Sequence, residues 1–136
     1  MIQRIQSVWL LVASLVTFLT LKFSFYSGTH LPDNKYLPLN GTFNMLLMTA
    51  TIALGILTLV AIFLFKTRVI QLRLCIAGIL LDLLLIFLYL RATREFNEGE
   101  TAITAASHIL IILALILSAR GINKDEKLIR DSDRLR

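Results

Sequence analysis

Two residues in the apolar part of the chain carry side chains that can bind or transfer a proton. Asp82 lies near the middle of an apolar run at residues 74–90, and His108 lies in a later run at residues 102–119. An ionised carboxylate in hydrocarbon costs at least about 2.5 to 3.5 kcal/mol, so Asp82 must either hold a proton or find a donor. The two side chains therefore indicate either a proton or ion site, or a structural hydrogen bond between helices.

Helical geometry predicts that these two side chains can meet. In an antiparallel pair of helices with a rise of about 1.5 Å per residue, Asp82 lies about 12 Å from the helix end at Leu90. By the same rise, His108 lies about 9 Å from the helix start at Ala102. The two depths are measured from the same membrane face, and we therefore expect the side chains to approach each other.

Other residues that could carry chemistry are sparse. The sequence contains no GxSxG, HExxH or CxxC motif and no phosphate-binding glycine-rich loop. The single cysteine, Cys75, can form neither an intramolecular disulfide nor a cysteine metal cluster. The second histidine, His30, has Asp33 nearby in a pattern typical of a solvated loop. We expect no catalytic residue, no cofactor and no metal, and predict that the protein is not an enzyme.

Four apolar runs must position Asp82 and His108. Hydrophobic residues make up 57% of the 136 residues, and the mean hydropathy of +0.76 is too high for a water-soluble fold. The runs lack the alternation of a membrane barrel, and about 20 helical residues cross hydrocarbon about 30 Å thick. An all-α integral membrane four-helix bundle over residues 1–121 is predicted, with helices at residues 5–25, 43–65, 74–90 and 102–119.

Turn and charge signals separate these runs. Residues 26–42 predict a loop with a turn at residues 31–34, and residues 91–101 predict a polar connection. Residues 66–73 carry three cations and predict a tight connection at a headgroup surface. Arg120 and Gly121 predict the end of the fourth helix.

The distribution of lysine and arginine predicts the orientation. Ten cations, including Arg4, lie on the side of the termini and of the middle connection, and four lie on the other side. Cations in short flanking segments resist translocation, so both termini are expected in the cytoplasm. The net charge of +5 is explained by these flanking cations, which meet lipid headgroups, and we expect no binding of nucleic acid.

The last segment, residues 122–136, mixes cations and acids and predicts a short cytoplasmic tail. One interpretation is a solvated helical extension, and the other is a docking element for a partner, in which three apolar side chains form a strip between charged ones. The candidate docking residues are Lys124, Lys127, Leu128, Ile129, Arg130, Arg134, Leu135 and Arg136.

The two ends of the chain carry the most distinctive sequence strings, MIQRIQSVWL at residues 1–10 and DEKLIRDSDRLR at residues 125–136. Together they resemble an uncharacterised family of small bacterial inner-membrane proteins, catalogued as a domain of unknown function. The resemblance spans the whole chain. It implies four spanning helices and a bacterial inner membrane, and it implies no activity or cofactor.

Two classes of function fit these observations. The first is a non-catalytic accessory subunit that packs in the lipid bilayer against other membrane protein subunits of a larger complex, for example in protein export or envelope assembly. The second is a small proton- or ion-coupled transporter that acts as a homo-oligomer through Asp82 and His108. We expect the first.

Overall fold

The computed structural model describes residues 2–136, and their side chains from Ile5 onward. The side chain of Arg4, one of the cations used for the predicted orientation, lies outside this part. The described chain contains four α-helices, three β-strands and two 3₁₀ turns, Thr93–Glu95 and Ile103–Ala105. The helices are α1 (Ile2–Leu19), α2 (Met45–Phe63), α3 (Arg68–Ala92) and α4 (Ala106–Arg134), and the strands are β1 (Tyr26–His30), β2 (Lys35–Leu39) and β3 (Phe96–Thr101).

The four helices form a bundle in which each packs against two neighbours. Helix α1 contacts α2 and α4, and α3 contacts the same two helices. Large apolar side chains such as Leu10, Leu54 and Ile111 are fully buried between them. At Gly55, an added Cβ would lie 2.6 Å from the ring of Phe18, so the glycine lets α1 and α2 approach closely. The prediction of four helices is confirmed.

Three of the helical segments are long and apolar enough to cross a membrane, namely Met45–Phe63, Arg68–Glu95 and Ile103–Arg134. The apolar stretch described in α1, Ile5–Leu19, is shorter. The outer faces of α2, α3 and α4 carry apolar side chains that are more than half exposed, such as those of Ile56, Leu80 and Ile109. A continuous apolar exterior of this kind indicates a membrane protein.

The prediction of an all-α fold is wrong in part, because residues expected in loops form a small antiparallel sheet. The chain is 71% helical, yet the three strands pair in the order β2-β1-β3. The predicted turn at residues 31–34 joins β1 to β2, and Asn34 adopts a positive φ of 49° there. Pro38 lies in β2, an edge strand, where its missing N–H removes no essential ladder bond.

Two glycines permit the pairing of β1 with β3. An added Cβ at Gly28 would lie 2.9 Å from the Cα of Gly99 in the opposite strand. An added Cβ at Gly99 would collide with the ring of Tyr26, which covers this glycine. The register also shifts between Ser27 and Thr29. The strands therefore meet backbone to backbone at a point where no side chain fits.

Helix α1 ends at Leu19, and the prediction that it continues to residue 25 is wrong. The backbone N–H of Gly41 donates to the carbonyl of Thr20 at 3.2 Å, and the N–H of Phe25 donates to the carbonyl of Leu39 at 2.7 Å. These bonds to the segment around β2 replace the helical bonds that would continue α1. The chain leaves the helix and enters the sheet.

Helices α3 and α4 are longer than predicted. Helix α3 begins at Arg68 instead of residue 74, and Gln71 in its first turn is buried and donates to the carbonyl of Ala61 at 2.9 Å. Helix α4 continues through Gly121 to Arg134, so the prediction that Arg120 and Gly121 end it is wrong. An added Cβ at Gly121 would lie 2.8 Å from Cγ of Gln6, so this glycine accommodates a side chain of α1.

Candidate functional site

The structure brings Asp82 and His108 into direct contact inside the bundle. Nδ1 of His108 lies 2.7 Å from Oδ1 of Asp82, and the side chains are 2% and 0% exposed. Two positions of the proton are compatible with this hydrogen bond. Either an Nδ1–H donates to the carboxylate, or a protonated carboxyl donates to Nδ1. Either placement of the proton satisfies one oxygen and one nitrogen of the pair.

The two helices present these residues through a regular stripe of buried positions. On α3 the buried positions Cys75, Asp82 and Tyr89 recur every seven residues and lie on one face. On α4 the buried stripe includes His108, Ile111, Leu115, Ser118 and Ile122. Spacings of three and four residues keep such a stripe directed at one neighbour along the whole helix.

Three polar atoms of this cluster have no hydrogen-bond partner among the described residues. They are Oδ2 of Asp82, Nε2 of His108 and the hydroxyl oxygen of Tyr89, and all are buried. Tyr89 also lies beside Thr51, but its hydroxyl makes no hydrogen bond of regular geometry there. Tyr89 was not among the residues singled out from the sequence, because a tyrosine near the end of an apolar run usually anchors a helix at the membrane interface. The seven-residue spacing from Asp82 was the signal that could have identified it.

Aromatic rings close the cluster at the end of the bundle that carries the sheet. Phe25 stacks on Tyr89 with ring centroids 4.6 Å apart and meets His108 edge-on at 5.7 Å. The backbone of Phe25 donates to Leu39 at 2.7 Å and accepts from Ala102 at 3.0 Å. The ring that covers the polar pair is therefore held by β2 and by the residues that precede α4.

Apolar side chains close the cluster at the end of the bundle that carries the termini. Leu54 of α2 and Leu115 of α4 are fully buried. Both lie next to Gly78 of α3, where an added Cβ would meet Leu115 at 3.2 Å and Leu54 at 3.6 Å. This leucine layer, defined by Leu54 and Leu115 around Gly78, separates the cluster from the polar groups nearer the termini.

A second set of polar side chains connects α1, α3 and α4 on the side of the leucine layer that faces the termini. Gln6 donates through Nε2 to Oδ2 of Asp125 at 2.5 Å, and its backbone carbonyl accepts from Ser118 at 3.4 Å. Cys75 in turn contacts the hydroxyl of Ser118 at 3.9 Å. Asp125 is only 6% exposed, although the sequence suggested a solvated tail at this position. Its spacing of seven residues from Ser118 continues the buried stripe of α4.

The candidate docking residues are all exposed, and they lie on α4 except for Leu135 and Arg136, which follow its end at Arg134. Leu128 and Ile129 are about half exposed, and Leu135 is 90% exposed. Ile129 also lines a groove of about 680 Å³ together with Phe65, Val69 and other residues of the α2–α3 turn. The other candidates, which are also exposed, are Lys124, Lys127, Arg130, Arg134 and Arg136.

His30 does not lie in a solvated loop, contrary to the expectation from sequence. Its ring packs edge-on against Phe43 at 5.7 Å and Phe96 at 5.3 Å, beneath the sheet. Its Nε2 lies 3.8 Å from a carboxylate oxygen of Glu95. Among the described residues, no group of three or more histidine, cysteine, aspartate or glutamate side chains could hold a metal ion.

Comparison with known proteins identifies the family to which the chain belongs. A family model described as a domain of unknown function (DUF4293) matches residues 2–135. No curated protein and no solved structure matches the chain. The family match covers nearly the whole chain, and it confirms the resemblance to an uncharacterised family.

Proposed function

Because the chain belongs to the family described as a domain of unknown function (DUF4293), we propose its function from the geometry alone: a non-catalytic accessory subunit of a larger membrane complex. The protein inserts in the bacterial inner membrane with α1 to α4 in the bilayer. Three helices of sufficient length and apolarity support this insertion. The excess of cations at the end of the bundle with the termini supports a cytoplasmic location for both termini.

The observation that carries the accessory role is the projection of α4 beyond the bundle. Its 29 residues span about 43 Å, whereas the hydrocarbon core of a bilayer is about 30 Å thick. The last buried residue is Asp125, and residues 126–134 continue as a regular helix with every side chain exposed. An isolated helix of this length is marginal in water, so its order derives from continuity with the buried part.

The exposed apolar side chains of this projection identify the docking face. Ile129 lies four residues after Asp125 and continues the stripe that buries α4 within the bundle. Leu128 adds a second apolar side chain beside it. An apolar strip flanked by charges is the face that an amphipathic helix presents to a partner groove. The partner is another membrane protein subunit that covers Leu128 and Ile129.

Co-purification tests this role. An affinity tag inserted next to Asn34, in the turn between β1 and β2, leaves the projection of α4 free. We expect a larger membrane assembly to co-purify in fixed ratio from mild detergent. Removal of residues 127–136 should abolish co-purification while the protein still accumulates in the membrane, because Ile122 and Asp125 remain in place.

Paired substitutions separate apolar docking from charge. Leu128→Ser with Ile129→Ser should reduce the recovered partner by about tenfold. Arg134→Ser with Arg136→Ser, the matched control outside the strip, should reduce it far less because exposed charges contribute little. An accessory role is contradicted if the full chain elutes alone or only with copies of itself.

A small proton- or ion-coupled transporter is the second candidate, because Asp82 and His108 form a buried pair with unpartnered atoms beside them. Four helices enclose little volume, so this carrier acts as a homo-oligomer. It predicts that Asp82→Asn abolishes transport in proteoliposomes while insertion and assembly persist. The accessory role predicts no transport in the unaltered protein either.

A further inference from the structure

The polar cluster contains buried atoms that the protein itself does not satisfy. Oδ2 of Asp82, Nε2 of His108 and the Tyr89 hydroxyl have no partner among the described residues. Such atoms in native structures are usually satisfied by ordered water. A carboxyl oxygen, an imidazole nitrogen and a phenol together suit water, which both donates and accepts, whereas hard cations such as Mg²⁺ and Ca²⁺ are bound through oxygen ligands alone.

The charge of this cluster depends on one acid and one imidazole. No titratable side chain occurs in the apolar stretch Ile5–Leu19 of α1 or in α2. Toward the sheet, the charged side chains of Lys22, Arg91 and Glu95 are exposed, and that of Glu95 lies 3.8 Å from His30. Toward the termini, Arg73 and Arg120 are exposed, and the first buried acidic residue is Asp125, beyond the leucine layer. Within the apolar part of the bundle, the titratable residues are Cys75, Asp82, Tyr89 and His108.

We propose that Asp82, Tyr89 and His108 form a hydrated proton-binding site that is reached from the sheet end of the bundle past Phe25. A proton carried by the bound water passes to Nε2 of His108, and the proton on Nδ1 moves to Oδ1 of Asp82. The water is regenerated, and the net charge of the pair changes from −1 to zero. Release follows the same steps in reverse.

The leucine layer and the ring of Phe25 close the site at its two ends, and the difference between them decides from which end water reaches the pair. On the side of the termini, the leucine layer packs tightly around Gly78. The buried hydroxyls nearest to this layer, those of Ser14 and Thr58, already donate to backbone carbonyls of α2 and offer no free donor to water. On the other side, the closure is the ring of Phe25, whose backbone is bonded to Leu39 and Ala102. A small movement of the sheet shifts Phe25 and uncovers the pair. The leucine layer has no such connection.

This site rests on the proposed insertion in the membrane and is independent of the accessory role. A partner can be present or absent without changing which side of the pair water reaches. Failure of co-purification would therefore overturn the docking proposal and leave the proton site standing. Conversely, absence of water at the pair would overturn the proton site and leave the docking proposal standing, because the exposed projection of α4 would be unchanged.

Nuclear magnetic resonance of the full chain in phosphatidylcholine vesicles tests the site. The chain contains two histidines, so His30→Gln leaves His108 as the single isotope-labelled imidazole. We expect magnetisation to pass from water protons to the ring nitrogens of His108, and the ring signals to change between acidic and alkaline buffer. Phe25→Ala should increase the water transfer by at least about threefold because the cover is removed. Phe87→Ala, a control at a 60% exposed position, should leave it unchanged.

A second variant guards against misfolding at Phe25. Tyr89→Phe keeps the ring that stacks on Phe25 and removes only the hydroxyl, so the water signal at His108 should fall by about half. The proposal is overturned if His108 receives no magnetisation from water in either the parent or Phe25→Ala, or if its signals do not respond to pH. A change on replacing choline by sodium at constant pH would identify a metal cation instead and would equally overturn it.

Discussion

Asp82 shows how a single buried acid organises its surroundings. Its carboxyl meets His108 at 2.7 Å, and both residues are almost completely buried. Removal of one partner leaves the other without its hydrogen bond in a site that excludes solvent, which costs more than the bond itself contributes. The pair is therefore best tested by removing both polar groups together.

A double-mutant cycle measures the pair. Asp82→Leu and His108→Leu should each lower the free energy of unfolding by about 1 to 3 kcal/mol. The double variant should lose less free energy of unfolding than the two single variants lose in total. The difference, which is the coupling free energy, should be about 0.6 to 1.7 kcal/mol, as for hydrogen bonds between membrane helices. Unfolding in mixed detergent micelles, followed by circular dichroism, gives these values. The exposed residues Leu80 and Ile109 provide a control cycle on the same helices, for which zero coupling is expected.

At the scale of the element, α1 packs closely against α4 at Gly121, where the missing side chain leaves a notch in the surface of α4. Glycine in the middle of a helix is unfavourable by about 0.8 to 1 kcal/mol relative to alanine, so its position in α4 needs a packing reason. The side chain of Gln6 passes over Gly121 and reaches Asp125 at 2.5 Å. The glycine therefore serves the contact between helices rather than the end of a helix.

The effect of a substitution at Gly121 on stability should depend on residue 6, which lies opposite it in α1. Gly121→Leu should destabilise the bundle by about 1 to 3 kcal/mol despite better helix propensity, because it displaces Gln6 from Asp125. In a Gln6→Ala background the same substitution should be neutral or stabilising, because the collision is gone and propensity remains. Thermal unfolding of the four proteins tests this. A stabilising effect of Gly121→Leu in the unaltered chain would contradict the role of the notch.

At the scale of the whole molecule, the two ends of the bundle differ in architecture. One end carries the sheet and the short turn around Asn34, and the other carries the termini and the projection of α4. Only the latter end has a large excess of cations. If the sheet lies on the outer side of the membrane, every connection between helices agrees with the rule that lysine and arginine are enriched on the cytoplasmic side.

Accessibility of introduced cysteines tests this orientation. Cys75 is buried and is the only native cysteine, so Cys75→Ser provides a background without reactive thiols. In that background, Asn34→Cys should react with a membrane-impermeant thiol reagent in intact cells. Ser132→Cys should react only after the cells are permeabilised. The reverse pattern would place the sheet in the cytoplasm and refute the proposed topology.

The sequence by itself determined the helical framework. Apolar runs and the turn at residues 31–34 are local patterns, and an apolar run of about 20 residues is long enough to cross a bilayer as a helix whatever lies elsewhere in the chain. The possible meeting of Asp82 and His108 followed from residue spacing alone, because helical rise is constant.

The tertiary structure decided the sheet, the closure by Phe25 and the role of Gly121. Strand β3 is largely polar and pairs with β1, which lies far away in sequence, so no local alternation predicted either strand. Phe25 depends on bonds to Leu39 and Ala102, and Gln6 meets Asp125 across 119 positions of sequence. Such contacts form only when the bundle has brought distant segments together. For that reason they determine where the polar cluster is covered and how far α4 remains ordered.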